Sequence, residues 1–193
     1  QYKLNEVIKT IYEFVYDYFC DWYIEFTKTR FYGNDKEGKK IAESVSIYVL
    51  KNILKLLHPF TPHITEEIWG YLEIKNQKFI INSEMSIFDQ QLINKNIEDE
   101  MSMIINSISA IRNIKASLNI PPSKTINLYV RGPEKETNLI EKNITLLNRL
   151  AKIDSIKAGP DIKKPNQSAT AIMKNIELFV PLKGLIDLNQ EIA

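Results

Sequence analysis

The residues best equipped for chemistry in this sequence fall in two places. One is Leu57–Leu72, LHPFTPHITEEIWGYL, which holds both histidines, His58 and His63, beside the carboxylates Glu66 and Glu67. Imidazoles and carboxylates are the common proton carriers and metal ligands. Here the histidines lie five positions apart across two prolines with no cysteine nearby, so a metal would lack its remaining ligands. Glu66 and Glu67 are adjacent, and neighbours on a helix point apart, which is poor geometry for shared acid–base work. The expected role of the histidines is to satisfy backbone groups where the chain turns. Cys20, the single cysteine, has no histidine in helical register and is expected to pack as a small apolar residue. No Gly-rich phosphate loop, GxSxG, HExxH or CxxC pattern occurs. The expectation is a chain with no catalytic centre of its own.

The second place is TKTRFYGNDKEGKK, residues 27–40, read as a loop from Gly33, Asn34 and Gly38. Lys28, Arg30, Lys36, Lys39 and Lys40 outnumber Asp35 and Glu37 around the aromatic pair Phe31 and Tyr32. Cations for phosphates and rings for bases are what an RNA surface needs. A solvated loop between two helices has the same composition, so both readings stand. Over the whole chain, 25 Lys and Arg against 24 Asp and Glu leave a charge of +1. Any nucleic-acid site must therefore be a local patch.

The elements that would carry these residues are mostly helical. Residues 4–26 are predicted as one helix. Val15, Phe19, Trp22 and Phe26 form a stripe that Ile8 and Ile11 extend, and Tyr12, Tyr16 and Tyr23 form a second stripe. So wide an apolar arc predicts a helix covered on two sides, with Trp22 in the core. A second helix is expected over Ile41–Leu57, with Ile41, Val45, Tyr48 or Val49, Ile53 and Leu56 inward. Pro59 should end it. Thr61 should cap a third helix with Pro62 at its first position. Glu66 and Glu67 then lie near its positive end, and Ile64, Ile68, Tyr71 and Leu72 line its buried face. Phe79–Ile81 reads as a short extended piece. A fourth helix runs from Asn94 to about Leu118, with Asn96 as candidate cap and Asp99 three residues on, and with Met101, Ile104 or Ile105, Ile108 and Ile111 on one face that Lys115 could extend.

At Pro121-Pro122 the pattern changes. Thr125–Arg131 and Ile153–Ala158 read as strands and Glu134–Leu150 as a helix between them. Gly159–Gln167 reads as a loop. Ala169–Met173 and Glu177–Pro181 form a hairpin around Lys174–Asn175, and Asp187 is expected to cap a last helix. The fold class expected is mainly α: an antiparallel helical bundle over residues 1–120, followed by a small α+β domain over 121–193. A single cysteine points to a reducing compartment or to a thiol with no role, and no apolar run reaches membrane-spanning length. With no signal-peptide pattern and no initiator Met, the chain reads as a piece of a longer cytoplasmic protein.

Four stretches resemble one family, the class I aminoacyl-tRNA synthetases of the valine, isoleucine and leucine group. They are YEFVYDYFCDWYIE (Tyr12–Glu25), the Leu57–Leu72 corner, AIRNIKASLNIPPSK (Ala110–Lys124) and ELFVPLKGLIDLNQEIA (Glu177–Ala193). The corner is shared by the group, and the other three are similar to the valyl members. The resemblance implies the helical anticodon-binding region, with its first helices upstream of Gln1 and a coiled coil beyond Ala193. It implies tRNA(Val) as partner, a monomer, no membrane, and no cofactor in this stretch, with ATP and magnesium serving the longer enzyme. The HIGH and KMSKS signatures of that enzyme's ATP site are absent from these residues. The resemblance also favours RNA for the basic segment, with Lys28, Arg30, Lys36, Lys39 and Lys40 on phosphate and Phe31 or Tyr32 on a base.

Overall fold

The computed structural model describes residues 3–72 and 78–185. The chain divides into two compact units, Gln1–Leu92 and Ile93–Ala193. None of the described helices is long and apolar enough to cross a membrane.

The first unit opens with one unbroken helical run: α1 (Leu4–Glu13), a π-helical stretch (Phe14–Ile24) and α2 (Glu25–Phe31). The run therefore continues past the expected end at Phe26, and its middle is not α-helical. Within it aromatic side chains four apart stack, Tyr12 on Tyr16 at 4.4 Å between ring centroids and Phe19 on Tyr23 at 5.7 Å. The fully buried positions are Ile11, Phe19 and Thr27, recurring every eight residues. Two α-helical turns take about seven. The wider turn thus carries an α-spaced stripe off the buried face. Tyr12 and Tyr16 are 58% and 53% exposed, Val15, Trp22 and Tyr23 are half-buried, and the expected two-sided cover is not present among the described residues. Cys20, expected to pack as a small apolar residue, is exposed.

The run packs on α3 (Lys36–Leu57), which packs on α4 (Pro62–Tyr71). Both helices are rotated by about one residue from the face their bulky residues suggest. In α3 the buried residues are Ala42, Ile53 and Leu54, while Ile41, Val45, Tyr48 and Leu56 are exposed. In α4 Thr65 and Trp69 are buried, and Ile64 and Tyr71 face solvent. Small or self-satisfied residues allow this. Ala42 has little volume, the Ser46 hydroxyl donates to the Ala42 carbonyl (2.6 Å), and the Thr65 hydroxyl donates to the Thr61 carbonyl (2.8 Å). The core cluster is Leu54, Trp69 and Ile80, flanked by Leu50, Ile68 and Leu72. Ile80–Asn82 is a 3-10 turn and not an extended piece, because the Ile80 N–H is bonded to the Glu66 carboxylate instead of a strand.

In the second unit α5 (Lys95–Ser117) is capped by Asn94, not Asn96; the Asn94 Oδ1 accepts from the Ile97 N–H at 3.3 Å. Its buried face, Ile104, Ser107, Ile108, Ile111, Ile114 and Lys115, follows the expected spacing. The sheet comprises β1 (Ile126–Arg131), β2 (Ile153–Gly159), β3 (Ser168–Met173) and β4 (Ile176–Pro181), in the order β2-β1-β4-β3. β1 and β2 are parallel and the other pairs antiparallel. The expected single helix between β1 and β2 is two, α6 (Glu134–Lys142) and α7 (Ile144–Ala151), broken at Asn143. The hairpin turns at Lys174, whose φ is 43°. α5 packs against β3, β4 and α7, so it belongs with the sheet by packing although it precedes Pro121. The expected helix at Asp187 lies outside the described residues.

Candidate nucleic-acid interface

The proline corner forms as the sequence dictates, and its polar groups are used to hold it. α3 stops at Leu57, the His58 N–H reaches the Leu54 carbonyl at 2.9 Å, and Pro62 begins α4. Thr61 occupies the cap position without capping; its hydroxyl donates back to the Leu57 carbonyl at 3.3 Å. His58 Nδ1 is 2.9 Å from the Thr65 hydroxyl oxygen. That hydroxyl also lies 2.8 and 3.1 Å from the Thr61 and Pro62 carbonyl oxygens, so ring, hydroxyl and helix backbone form one hydrogen-bonded group. The partner of the ring is therefore a side chain, not the backbone group expected. His58 Nε2 then faces Glu66 Oε2 at 4.0 Å, while both Glu66 oxygens hold the Ile80 N–H at 3.2 and 3.3 Å. Glu66 ties α4 to the segment after it, a role no sequence signal announced. His63 is exposed. The described residues contain no group of three His, Cys, Asp or Glu able to hold a metal.

The basic segment is mostly helical, not a loop. Lys28, Arg30 and Phe31 lie on α2, Lys36, Lys39 and Lys40 on the first turns of α3, and only Tyr32–Asp35 link the two. So short a link between packed helices brings the end of α2 and the start of α3 together. The link is tightly specified. Both the Glu37 and Gly38 N–H groups donate to Asp35 Oδ1, at 3.1 and 2.9 Å. A Cβ on Gly38 would come within 2.3 Å of that carboxylate, and one on Gly33 within 2.8 Å of the Thr29 carbonyl.

The side chains divide by availability. Lys28 is half-buried and paired with Glu25, and Phe31 is half-buried. Lys39 lies 3.9 Å from Glu43. Arg30, Lys36 and Lys40 are exposed, with no ion-pair partner among the described residues, and Tyr32 is 81% exposed. Lysines at a helix N-terminus add to the positive end of the macrodipole, where anions are favoured. Asp35 is occupied by the cap, which leaves Glu37, exposed on the same turn, as the one carboxylate among the lysines. The result is a cationic end with one open ring, suited to phosphates and an unpaired base.

The helical unit with such an end is followed by a small α+β unit, and comparison with known proteins gives the class. Residues 1–130 match the family described as the anticodon-binding domain of tRNA ligase, and the chain belongs to that family. Across its whole length it is also similar to valine–tRNA ligases. It is 38% identical over 195 residues to that of Listeria innocua, 37% over 193 to that of Geobacillus stearothermophilus and 34% over 194 to that of Bacillus subtilis. The match takes in 100% of this chain and 22% of each relative, so the chain spans about a fifth of their length. The family resemblance read from four short stretches thus holds throughout the sequence.

Proposed function

We propose that this chain is the tRNA-binding part of a valine–tRNA ligase, and that it meets the anticodon side of tRNA(Val) through the cationic end formed by α2 and α3. In this reading residues 1–120 act as the anticodon-binding domain, an antiparallel helical bundle to which α5 belongs by sequence while packing on the sheet. Residues 121–193 form the α+β domain leading toward a coiled coil. Arg30, Lys36, Lys39 and Lys40 contact phosphates, with Lys28 secondary because Glu25 already engages it. Tyr32 takes a base in preference to Phe31, whose ring is partly covered. The observation that carries the proposal is the placing of three lysines on the first turns of α3, in a chain that belongs to an anticodon-binding family.

The whole enzyme would attach valine to its tRNA using ATP and magnesium, act in the cytoplasm and work as a monomer. The residues present do not fit the ATP–magnesium part of that chemistry. They include no phosphate loop, no HIGH or KMSKS stretch and, where described, no metal-ligand cluster, so no catalytic step is assigned to them.

The test is direct titration of the chain with a valine tRNA transcript, alongside isoleucine and leucine transcripts. Preference for the valine transcript is expected. Replacing Lys36, Lys39 and Lys40 together by Gln should weaken binding by about an order of magnitude. Absence of binding at low salt would overturn the proposal, and equal binding of the three tRNAs would remove its valine specificity.

A further inference from the structure

The sheet of the second unit has one face lined with buried aliphatics and a second face of mixed character. Ile126, Leu128 and Val130 of β1 and Ile176, Leu178 and Val180 of β4 lie buried, at most 3% exposed, and the helices of this unit pack on that side. Side chains alternate along a strand, so Asn127, Tyr129 and Arg131 stand on the other face. Register places Ser155 and Lys157 of β2 beside the first two, and Phe179 of β4 beside Tyr129.

The two halves of this outer face differ. On the β4 side Phe179 is sealed, 1% exposed, with the Arg131 guanidinium 5.3 Å from its ring centroid and paired with Glu177. On the β2 side the Tyr129 ring is half-buried, and the Lys157 amine, 5.6 Å from its centroid, has no ion-pair partner among the described residues. Asn127 and Ser155 are exposed and hydrogen-bonded to each other at 2.8 Å. β2 and β3 run parallel at opposite edges, so the link 160–167 must cross a face. Helices fill the inner side, so the link crosses the outer one, and it carries Lys163 and Lys164, both exposed, against a single carboxylate, Asp161.

We propose that the β1–β2 half of this face is a second RNA contact, holding an unpaired nucleotide with its base on the Tyr129 ring. Lys157, Lys163 and Lys164 take the flanking phosphates, and the Asn127–Ser155 pair meets the base edge. Charge decides for RNA over a protein partner: a half-buried ring with a movable lysine over it, near further cations and an amide, suits a stacked base and phosphates better than an apolar side chain. The proposal rests on the tRNA reading above and assigns that RNA a further site.

The test uses the 193-residue chain and the valine tRNA transcript, with variants checked for an unchanged thermal transition. Tyr129→Leu keeps a strand-compatible apolar side chain and should weaken binding about 5- to 100-fold. Lys157→Gln and the double change Lys163→Gln/Lys164→Gln should each flatten the dependence of log K on log salt, by about one unit per lysine. Lys142→Gln, on α6, should leave both readouts unchanged. If Tyr129→Leu does not fold, the lysine variants decide. Wild-type affinity and slope in all the sheet variants, with weaker binding by Lys36→Gln/Lys40→Gln, would overturn the second site and leave the first intact. A wild-type chain that binds no tRNA at low salt would overturn both.

Discussion

The two units of this chain bury their apolar residues with very different economy. In Ile93–Ala193 the inward aliphatics of β1 and β4, with Ile104, Ile108 and Ile111 of α5, Ile140, Leu147 and Ile153, are within a few percent of full burial, although Ile97 and Ile144 are exposed. In Gln1–Leu92 the tight cluster is Leu54, Trp69 and Ile80, while Tyr12, Phe14, Tyr16, Tyr18, Ile41 and Tyr48 remain substantially exposed. A sheet with one helix-covered face fixes which side of every strand is inside. Helices alone do not, because a turn of slightly different pitch or a small residue at the contact redirects the buried face. Periodicity is therefore a reliable guide to the second unit and a poor one to the first.

The contrast can be broken by mutation, and the largest effects should come from residues that bulk alone does not single out. In α4, Trp69→Ala should cost about 3–5 kcal/mol in urea unfolding, whereas the equally apolar Ile64→Ala should stay within about 0.5 kcal/mol. Leu128→Ala in β1 should cost about 2–5 kcal/mol, and Tyr12→Ala in α1 again less than about 0.5 kcal/mol. A large loss at Ile64 or Tyr12 would mean that those faces are covered.

A smaller effect is expected at Lys115. Its amine, on the buried face of α5, donates to the Lys124 carbonyl at 2.6 Å and the Ala151 carbonyl at 2.8 Å, while Arg112 donates to the Leu150 carbonyl at 3.0 Å. Removing the charged donor orphans carbonyls, so Lys115→Met should cost about 1.5–3 kcal/mol. Burial, and secondarily Lys152, holds the Lys115 pKa below its ordinary 10.5. The folded state thus releases this proton before the unfolded state does, and stability rises with pH across the window below 10.5. Unfolding measured against pH should show the gap between wild type and Lys115→Met widening toward that value. A gap independent of pH would contradict the assignment.

The smallest difference separates the two cap positions. Asp35→Ala should cost about 1 kcal/mol, whereas Thr61→Ala should cost only a few tenths through its cap position, since its hydroxyl does not cap.

Particular residues show how far the sequence could be read. Pro59 and Pro62 act locally, through a missing N–H and a fixed φ, and the corner stands where they put it. The alternation of Ile126, Leu128 and Val130 is equally local, whereas α5 ends at Ser117 with the left-handed turn at Asn119, ahead of Pro121. Lys115 sits at the end of an apolar stripe, but only the structure shows that its amine is buried. The π-helical stretch was not legible, because Phe14–Ile24 has an acceptable α-spaced stripe and only the hydrogen-bond register reveals the wider turn. Nor was the bond between Glu66 and Ile80, which joins residues fourteen apart through a segment with no regular pattern. For the candidate site, composition located the cations, but reading Gly33 and Gly38 as loop markers hid that most of them sit on helices. Gly38 is there for the Asp35 cap and not for a loop.

The salt dependence of tRNA binding tests the proposed interface most directly. For the wild-type chain, log K for the valine tRNA transcript should fall linearly with log salt. In Lys36→Gln/Lys40→Gln the slope should be smaller by about two, close to one unit for each phosphate no longer neutralised. An unchanged slope at unchanged affinity would show that the cationic end of α2 and α3 is not where this chain meets RNA.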